Sequence, residues 1–490
     1  MNPDRTVTAR PVLVAQIAVV LLIAVKIYLT FTAPPIGDEA YYWMWGQKLA
    51  WSYFDHPPLH AWLLRAASLL GWNYFTLRIL TWLTLAGTLW IFWLWSKRLK
   101  PEDPAAWWWP TAAIYLTSPL FFTMTSVAFH DHLLIFLCLA SAHTFLLFAE
   151  RWEATGKGFG LLYGAAALLG LAVLTKYNGV LFALGIALFF VAHKPVRKLW
   201  ASPHLYLAAL LAIAIQAPVL YWNLTTSFAS YNFHFSERWG GAMFVLRLNN
   251  LPAFLALALL FISPFVFPAI FGMIRRPLGA PFADRARTMA LAVFVISSLA
   301  MLGLSLFVEV FFYWNIVAAL LLMPLIAGWM RLRWVFWLHL LYGAVFAVGS
   351  IVNFTMVPLG NLLGRYDWTI SSTFGWPNVA EHIRALRQTH DVGFIAATRY
   401  TTAAQLGFAL HDADVVTIAN RHDQYDYWFV PSAHLGESAL VVADPVMGVG
   451  EIAPYFDSLT PVETVPFEQY GQVIYQPTIY LGTGFHVPTR

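Results

Sequence analysis

About eleven apolar runs, most of them long enough to cross a bilayer, constrain this chain more than any other feature. They fall near residues 12–33, 75–96, 108–125, 131–150, 159–175, 178–193, 204–222, 251–273, 289–307, 313–330 and 334–353. The chain is 59% hydrophobic and only 11% charged, whereas about a quarter of the residues of a soluble domain are charged. Lipid is therefore expected to be the solvent for most of the molecule.

The distribution of charge predicts the topology. Residues 1–353 carry a net charge of +11, and residues 354–490 carry −7. Most Lys and Arg residues lie in the loops after even-numbered runs, which indicates a cytoplasmic N-terminus and an external C-terminus. No small-residue cleavage site follows the first run, so we expect a retained helix. Basic residues between apolar runs are a topology signal, and no nucleic acid partner is expected.

The chain divides by composition at residue 354. Before it we predict a helical polytopic transmembrane domain, 1–353, with interfacial helices within 38–70. After it, strand patterns alternate with helical patterns, which predicts a small external α/β domain over 354–490. The predicted strands are 392–397, 414–419 and 439–443, and the predicted helices are 378–389 and 402–410. A single cysteine, Cys138, excludes an internal disulfide and a thiolate metal cluster.

Acidic residues on the predicted outer side are the first candidates for function, because an ionisable group at the bilayer edge is costly. They are Asp38, Glu39, Asp55, Asp131, Glu237 and Glu309. Each also has a plainer explanation: Asp38 suits a helix cap, and Asp55 a turn. The His130-Asp131-His132 segment lacks adjacent metal ligands, so no metal is predicted.

Basic residues on the same side have plain explanations too. Lys176 suits a side chain that snorkels to the headgroups, as does Lys26 in the first run. Arg238 suits an exposed ion pair with Glu237.

Taken together, these segments resemble the GT-C membrane glycosyltransferases. The motifs are Gly37-Asp38-Glu39-Ala40-Tyr41-Tyr42, Phe54-Asp55-His56-Pro57-Pro58-Leu59, Asp131 before a Leu-rich run, and Thr175-Lys176-Tyr177-Asn178-Gly179. Their order is similar to that in the branch of bacterial lipid A aminoarabinose transferases and protein O-mannosyltransferases. The segments 399–401 and 420–428 resemble the outer domain of bacterial members and not that of the eukaryotic enzymes, which leaves the acceptor open.

The resemblance implies an inverting transferase of a bacterial inner membrane that uses a polyprenyl-phosphate-linked sugar and no cofactor. The acceptor would be lipid A, another envelope glycan or an exported protein. Asp38 would match the family base, with Glu39 and Asp131 orienting the acceptor or holding Asp38. The remaining candidates are Lys176 and Arg238 for the donor phosphate, and Asp55, His56, Tyr41 and His234 for shaping the site.

Two functions of other classes compete with this hypothesis. A transporter or lipid flippase would place its polar residues at mid-depth, often in paired repeats, whereas here they gather at the outer boundary. A non-catalytic receptor would leave the outer acid/base residues without a purpose. We also predict a loop that roofs the acceptor side, with Arg421, His422 and Tyr425 facing the cavity; alternatively, these residues only pack within their own domain.

Overall fold

The computed structural model describes residues 3–236, 245–275, 279–331, 333–419 and 421–488. The chain forms two compact units, each built from separated segments. Unit 1 comprises Met1–Ile27, His56–His60 and Ile79–Ala347, and unit 2 comprises Tyr28–Asp55, Ala61–Arg78 and Val348–Arg490. The first outer segment thus belongs largely to the unit of the C-terminal residues. The functional division at residue 354 stays a prediction.

The first eleven helices are α1 Pro3–Thr32, α2 Gly37–Gln47, α3 Leu59–Ser68, α4 Tyr74–Leu99, α5 Ala105–Thr117, α6 Pro119–Met124, α7 His130–Thr155, α8 Phe159–Thr175, α9 Gly179–Ala192, α10 Pro203–Ala214 and α11 Ala217–Thr225. The others are α12 Ala229–Phe235, α13 Asn250–Ile262, α14 Phe267–Arg275, α15 Pro281–Ser305, α16 Ile316–Leu320, α17 Met323–Met330, α18 Trp334–Ile351, α19 Leu359–Leu362, α20 Trp368–Ser371, α21 Trp376–Thr389 and α22 Tyr400–Leu410. Helices α2 and α3 occupy the outer segment where interfacial helices were predicted.

Five helical stretches are long and apolar enough to cross a membrane: Arg10–Thr32, Tyr74–Leu99, His130–Thr155, Pro281–Ser305 and Trp334–Met356. Four bent pairs raise the number to nine in the described part of the chain if each pair is one span. The predicted runs 108–125 and 159–175 fall on α5–α6 and α8, which are shorter helices. Every predicted run therefore lies on helix.

The four bends share one cause. The bent pairs are Gly179–Ala192 with Lys194–Ala201 (105°), Pro203–Ala214 with Ala217–Thr225 (46°), Asn250–Ile262 with Pro264–Arg275 (79°) and Phe312–Leu320 with Met323–Met330 (73°). A proline stands in the first turn of each second helix: Pro195, Pro218, Pro264 and Pro324. Proline lacks an N–H and clashes with the preceding turn, so the helix breaks there.

Two contacts within unit 1 show how its helices pack. A Cβ on Gly185 of α9 would lie 2.6 Å from the Cα of Val293 of α15, so only glycine allows this close helix approach. Lys26 of α1 is buried and donates hydrogen bonds to Phe122 O at 2.8 Å and Thr125 Oγ1 at 2.9 Å. The prediction that Lys26 snorkels outward is therefore wrong, because hydroxyl and carbonyl oxygens solvate its ammonium inside the protein.

The C-terminal part of unit 2 contains a five-stranded sheet and a two-stranded ribbon. The strands are β1 Phe394–Ala397, β2 Val416–Thr417, β3 Ala439–Ala443, β4 Phe456–Thr464, β5 Phe467–Gln469, β6 Gln472–Tyr475 and β7 Thr478–Phe485. The sheet order is β2-β1-β3-β7-β4, with β1 parallel to β2 and β3. The predicted α/β domain is confirmed, because β1–β3, α21 and α22 overlap the predicted strands and helices, whereas β4–β7 were not predicted.

The parallel strands position residues for a site. Arg399 and Tyr400 follow β1 directly, and the 421–424 segment lies shortly after β2. Because both strands end at the same edge of the sheet, these residues are brought together there. Ligands in α/β sheets are commonly bound outside the carboxyl ends of the strands.

Candidate active site

Asp38 lies in the first turn of α2, after the Pro-Pro-Ile-Gly loop. Ile36 occupies the N-cap position, and its N–H donates to the Glu39 carboxylate at 3.0 Å. Asp38 is therefore not the helix cap that its sequence context allowed. Its half-buried carboxylate instead accepts a hydrogen bond from Tyr400 Oη at 3.2 Å.

The start of α2 approaches α22 closely enough to require a glycine. A Cβ on Gly37 would lie 2.7 Å from the Thr401 side chain. Glycine is the residue that permits such a close approach of a backbone. The contact brings Asp38, one residue after Gly37, to Tyr400, one residue before Thr401.

Glu39 is held by an arginine that the sequence reasoning missed. Arg78 donates from Nε to Glu39 Oε1 at 2.9 Å and from Nη2 to Oε2 at 2.7 Å, and both side chains are buried. Arg78 Nη1 also donates to the carbonyl oxygens of Leu29 and Ala33, at 3.2 and 2.8 Å. Leu29 belongs to the last turn of α1, and Ala33 directly follows the helix. Arg78 thereby ties the end of α1 to the start of α2.

Asp55 forms a second carboxylate position in unit 2. Tyr41 Oη donates to Asp55 Oδ2 at 2.9 Å, and the Gln424 N–H donates to Tyr41 Oη at 2.8 Å. The Phe54 N–H donates to Gln424 Oε1 at 2.8 Å. Burial raises the pKa of Tyr41 well above its ordinary value, so the phenol stays protonated and serves as a donor.

A guanidinium links the two carboxylate positions. Arg421 lies over the Tyr400 ring at 4.4 Å, and its Nη2 is 3.6 Å from Asp55 Oδ1. Burial, and then the nearby Asp38 carboxylate, raise the pKa of Tyr400, which keeps its hydroxyl protonated. We call Asp38, Tyr41, Asp55, Tyr400 and Arg421 the unit 2 cluster.

The loop after β2 contacts the elements that carry this cluster. Tyr425 is buried and stacks on Tyr41, with ring centroids 5.9 Å apart. His422 lies 5.0 Å from the Phe54 ring. Burial raises the pKa of Asp423 to about 8, so this carboxyl is largely protonated at neutral pH. The acceptor-roof role of the loop stays a prediction.

In unit 1, Lys176 and Asp131 form a buried ion pair. Lys176 Nζ lies 2.9 and 2.8 Å from the two Asp131 carboxylate oxygens, and 4.7 Å from the Tyr313 ring centroid. Lys176 is only 4% exposed, so the snorkelling alternative is wrong. The orienting role predicted for Asp131 stays a prediction; the partner that the structure gives it is Lys176.

Histidines from three separated segments meet in unit 1. The rings of His56 and His130 lie 4.4 Å apart, and those of His56 and His234 lie 6.3 Å apart. His60 Nε2 is 3.3 Å from His132 Nε2. His132 Nδ1 is in turn 3.0 Å from Thr84 Oγ1. Two of the residues predicted to shape the site, His56 and His234, are thus neighbours.

A metal centre is not evident in the described part of the chain, where no group of three or more His, Cys, Asp or Glu side chains is placed to hold an ion. The absence of a metal site stays a prediction. Arg238, predicted to bind the donor phosphate, lies outside the described residues.

The residues missed by the sequence reasoning had weak local signals. Arg78 is a basic residue near the start of an apolar helix, where a buried role is a standing possibility. Tyr400 and Gln424 lie more than 360 positions from their partners in the first outer segment, and His60 lies one turn after His56. Only the fold brings these side chains to their partners.

This chain is similar in sequence to known glycosyltransferases. Residues 55–222 match the family of dolichyl-phosphate-mannose-protein mannosyltransferases. The lipid A galacturonosyltransferase RgtD of Rhizobium johnstonii is 30% identical over 196 residues. That match spans 38% of this chain and 38% of the relative.

Solved structures show the same fold over nearly the whole chain. ArnT from Cupriavidus metallidurans, bound to undecaprenyl phosphate, matches with a TM-score of 0.63 and 17% identity, covering 94% of this chain and 97% of that one. Its apo form matches with a TM-score of 0.63 and 16% identity, covering 95% and 97%. The resemblance predicted from the sequence motifs is confirmed.

Proposed function

This chain is a multi-pass membrane protein of the GT-C glycosyltransferase fold, and on that premise we propose that it is an inverting glycosyltransferase. The donor is a sugar linked to a polyprenyl phosphate, and the acceptor is a hydroxyl of lipid A, another envelope glycan or an exported protein. The observation that carries the proposal is the Asp38 carboxylate, half-buried and bonded by Tyr400 at 3.2 Å.

Asp38 serves as the general base. Its carboxylate takes the proton of the acceptor hydroxyl while the acceptor oxygen bonds to the anomeric carbon. The bond between that carbon and the phosphate oxygen breaks, and its electron pair leaves with the polyprenyl phosphate. One displacement inverts the anomeric centre. A positioned base of this kind is worth roughly a hundred- to ten-thousand-fold in rate.

Glu39 and Arg78 keep the base in place without touching the reactants. Their buried pair fixes the first turn of α2 against the last turn of α1. Asp38 belongs to that first turn, so its carboxylate position depends on this anchor. Preorganisation of this kind is what lets a catalytic group act at a fixed geometry.

Lys176 stabilises the leaving phosphate. Its buried ammonium is held by Asp131 at 2.8 Å, in surroundings where a charge interacts more strongly than in water. Charge develops on the phosphate as the bond breaks, so a fixed cation favours the transition state over the ground state. Arg238 is proposed to assist in the same role.

The reaction is placed at the periplasmic face of a bacterial inner membrane. The basic loops support this location, because positive residues are retained on the cytoplasmic side. An odd number of spans then puts the C-terminal residues, with Tyr400 and Arg421, outside.

Turnover by the purified protein tests the proposal. Detergent-solubilised protein is incubated with a radiolabelled undecaprenyl-phospho-sugar and envelope extract, and released undecaprenyl phosphate is measured. Wild type should release it, and Asp38→Asn should do so at least about a hundred-fold more slowly. The matched control is Asp391→Asn, an exposed aspartate before β1, which should behave as wild type. In a parallel experiment the protein is reconstituted into lipid vesicles, and label that crosses the vesicle membrane without cleavage would instead indicate a transporter or flippase.

A further inference from the structure

Unit 2 contains a partly open cavity of about 470 Å³ that has no role in the proposed reaction. Its volume falls in the usual range for small-molecule sites. Residues from the end of α1, the start of α4, α21 and α22 line it. We call it the α22 cavity.

One wall of the α22 cavity is a set of mutually packed aromatic rings. Phe408 of α22 lies 6.1 Å from the Trp72 ring and 6.2 Å from the Tyr74 ring. Trp72 also stacks on His411 at 5.3 Å, with the ring planes 16° apart. Because these rings hold each other in place, the wall is formed before any ligand arrives.

The rest of the lining adds polar groups. Asn73, Thr373 and Gln405 contribute amide and hydroxyl groups. Tyr74 also lines the cavity and carries a phenol hydroxyl, which can donate a hydrogen bond to a ligand. An acyl chain needs none of these groups, whereas a sugar ring offers a C–H face for the aromatic wall and hydroxyls for the polar edge.

The α22 cavity is adjacent to the proposed base. Gln405 donates to Pro35 O at 2.7 Å, so the loop that leads to Asp38 also borders the cavity. Gln405 and Tyr400 are five residues apart on α22, or about 7.5 Å along the helix. The position of Tyr400, which bonds Asp38, and that of Gln405, which lines the cavity, are thus close enough for one ligand to reach both.

The cavity also borders the ends of two predicted spans. Phe31 is next to the last residue of the stretch Arg10–Thr32, and Tyr74 is the first residue of Tyr74–Leu99. Such span ends lie at the membrane interface, where lipid headgroups are found. An acceptor that enters the cavity from the headgroup region of the membrane is expected to be a sugar attached to a lipid.

We propose that the α22 cavity binds a sugar ring of a glycolipid acceptor, beside the ring whose hydroxyl is glycosylated. The inference rests on the proposed function. It specifies that the acceptor of that reaction is a glycolipid and not an exported protein. The recognised chemistry is a saccharide headgroup stacked on the wall of Trp72, Tyr74 and Phe408.

Binding without donor tests the proposal. Full-length protein in phosphatidylcholine nanodiscs is titrated with lipid A, and then with the soluble glucosamine disaccharide freed of its acyl chains. Ala409→Trp fills the cavity, and Ala385→Trp makes the same change on the exposed face of α21. Ala409→Trp should weaken lipid A binding at least about ten-fold, whereas Ala385→Trp should leave it unchanged. The disaccharide should compete with lipid A.

A milder variant covers the case in which Ala409→Trp does not fold. Tyr74→Phe removes only the hydroxyl and should weaken binding several-fold, as expected for one neutral hydrogen bond. Normal binding by a folded Ala409→Trp protein would overturn the proposal, and so would competition by a fatty acid or an acceptor peptide but not by the disaccharide.

The two proposals fail separately. Asp38→Asn should retain lipid A binding, since Asp38 is assigned to chemistry. Wild-type transfer together with normal binding and acceptor KM in Ala409→Trp would reject the cavity assignment and keep the enzyme. Lipid A binding that depends on the cavity, without sugar transfer from any polyprenyl-phosphate sugar, would reject the proposed enzyme activity and keep the cavity assignment.

Discussion

Glu39 and Arg78 form a bidentate ion pair in which the carboxylate of the first turn of α2 meets the guanidinium of α4 at 2.9 and 2.7 Å. The same guanidinium bonds carbonyl oxygens at the end of α1. One buried cation therefore pairs with a buried anion and also bonds carbonyl oxygens at and just after the end of α1. Such a pair adds little net stability compared with apolar side chains of similar size. Removal of one partner is nevertheless costly, because the other charge stays buried without its ion-pair partner.

We predict that either partner alone is costly to remove. Glu39→Leu and Arg78→Met should each destabilise the protein by about 3–5 kcal/mol, and the double variant should recover much of this loss. Arg78→Lys should rescue poorly, because an ammonium cannot reproduce the forked geometry. Thermal unfolding in detergent is the measurement. Additive losses in the double variant would show that the two side chains are not coupled.

Variants of the Lys176–Asp131 pair should affect stability and use of the sugar donor differently. Lys176→Met should lower transfer by about a hundred- to a thousand-fold, as found when one electrostatic donor is removed from a transition state. The double variant Asp131→Asn/Lys176→Met should be more stable than Asp131→Asn alone and equally poor with donor. Single-turnover rates and unfolding temperatures are measured on the same preparations. Lys157→Met, on an exposed loop, is the control; normal donor kinetics in Lys176→Met would exclude the phosphate role.

Asp423 should make stability depend on pH. Burial raises its pKa to about 8, so the folded state holds a proton that an unfolded aspartate releases near pH 4. Folded protein thus binds more protons between about pH 4 and about pH 8, and this contribution to stability falls as pH rises through that window. Unfolding temperatures of wild type and Asp423→Asn are compared at each pH. The unfolding temperature of Asp423→Asn minus that of wild type should increase towards pH 8. A difference that stays constant with pH would contradict the raised pKa of Asp423.

Topology is testable with fusions at the C-terminus. The basic loops predict that it is external, so an alkaline phosphatase fusion should be active and a green fluorescent protein fusion dark. The reverse pattern would place Asp38 on the cytoplasmic side and remove the basis for a periplasmic reaction.

Local sequence patterns predicted the apolar helices and strands β1–β3, but not strands β4–β7 or the long-range contacts of these elements. Apolar length and strand composition located the membrane helices and the α/β domain, because both depend on neighbouring residues. The bends at Pro218, Pro264 and Pro324 have a cause that is visible in the sequence, yet the runs that contain them, 204–222, 251–273 and 313–330, are each predicted as one span. The sequence could not show that the outer segment 28–55 joins the unit of the C-terminal residues.

The candidate site divides in the same way. Asp38 and Lys176 stood out because charge beside an apolar run is costly. Their pairing was not visible. Tyr400 lies in a helix whose pattern looks like ordinary packing, and Asp131, although itself a candidate, pairs with Lys176 only because of how α7 and α8 meet. Which residues become partners depends on the fold, whereas a charge beside an apolar run can be recognised in the sequence.

Tyr400 offers a test of Asp38 that leaves the base itself intact. Its hydroxyl donates to Asp38 Oδ1 at 3.2 Å, and a donor of this kind favours the ionised carboxylate over the protonated acid. Tyr400→Phe removes the donor but keeps the ring under Arg421. The acid limb of the pH–rate profile for transfer should therefore move to higher pH, with the rate at high pH little changed.

A merely structural role for Tyr400 would give a different result. Loss of packing would lower the rate at every pH and the unfolding temperature together, without moving the acid limb. Tyr470→Phe, at a tyrosine that is 66% exposed, should give the wild-type profile. An acid limb that stays in place in a stable, active Tyr400→Phe protein would show that the ionisation governing transfer is not that of Asp38.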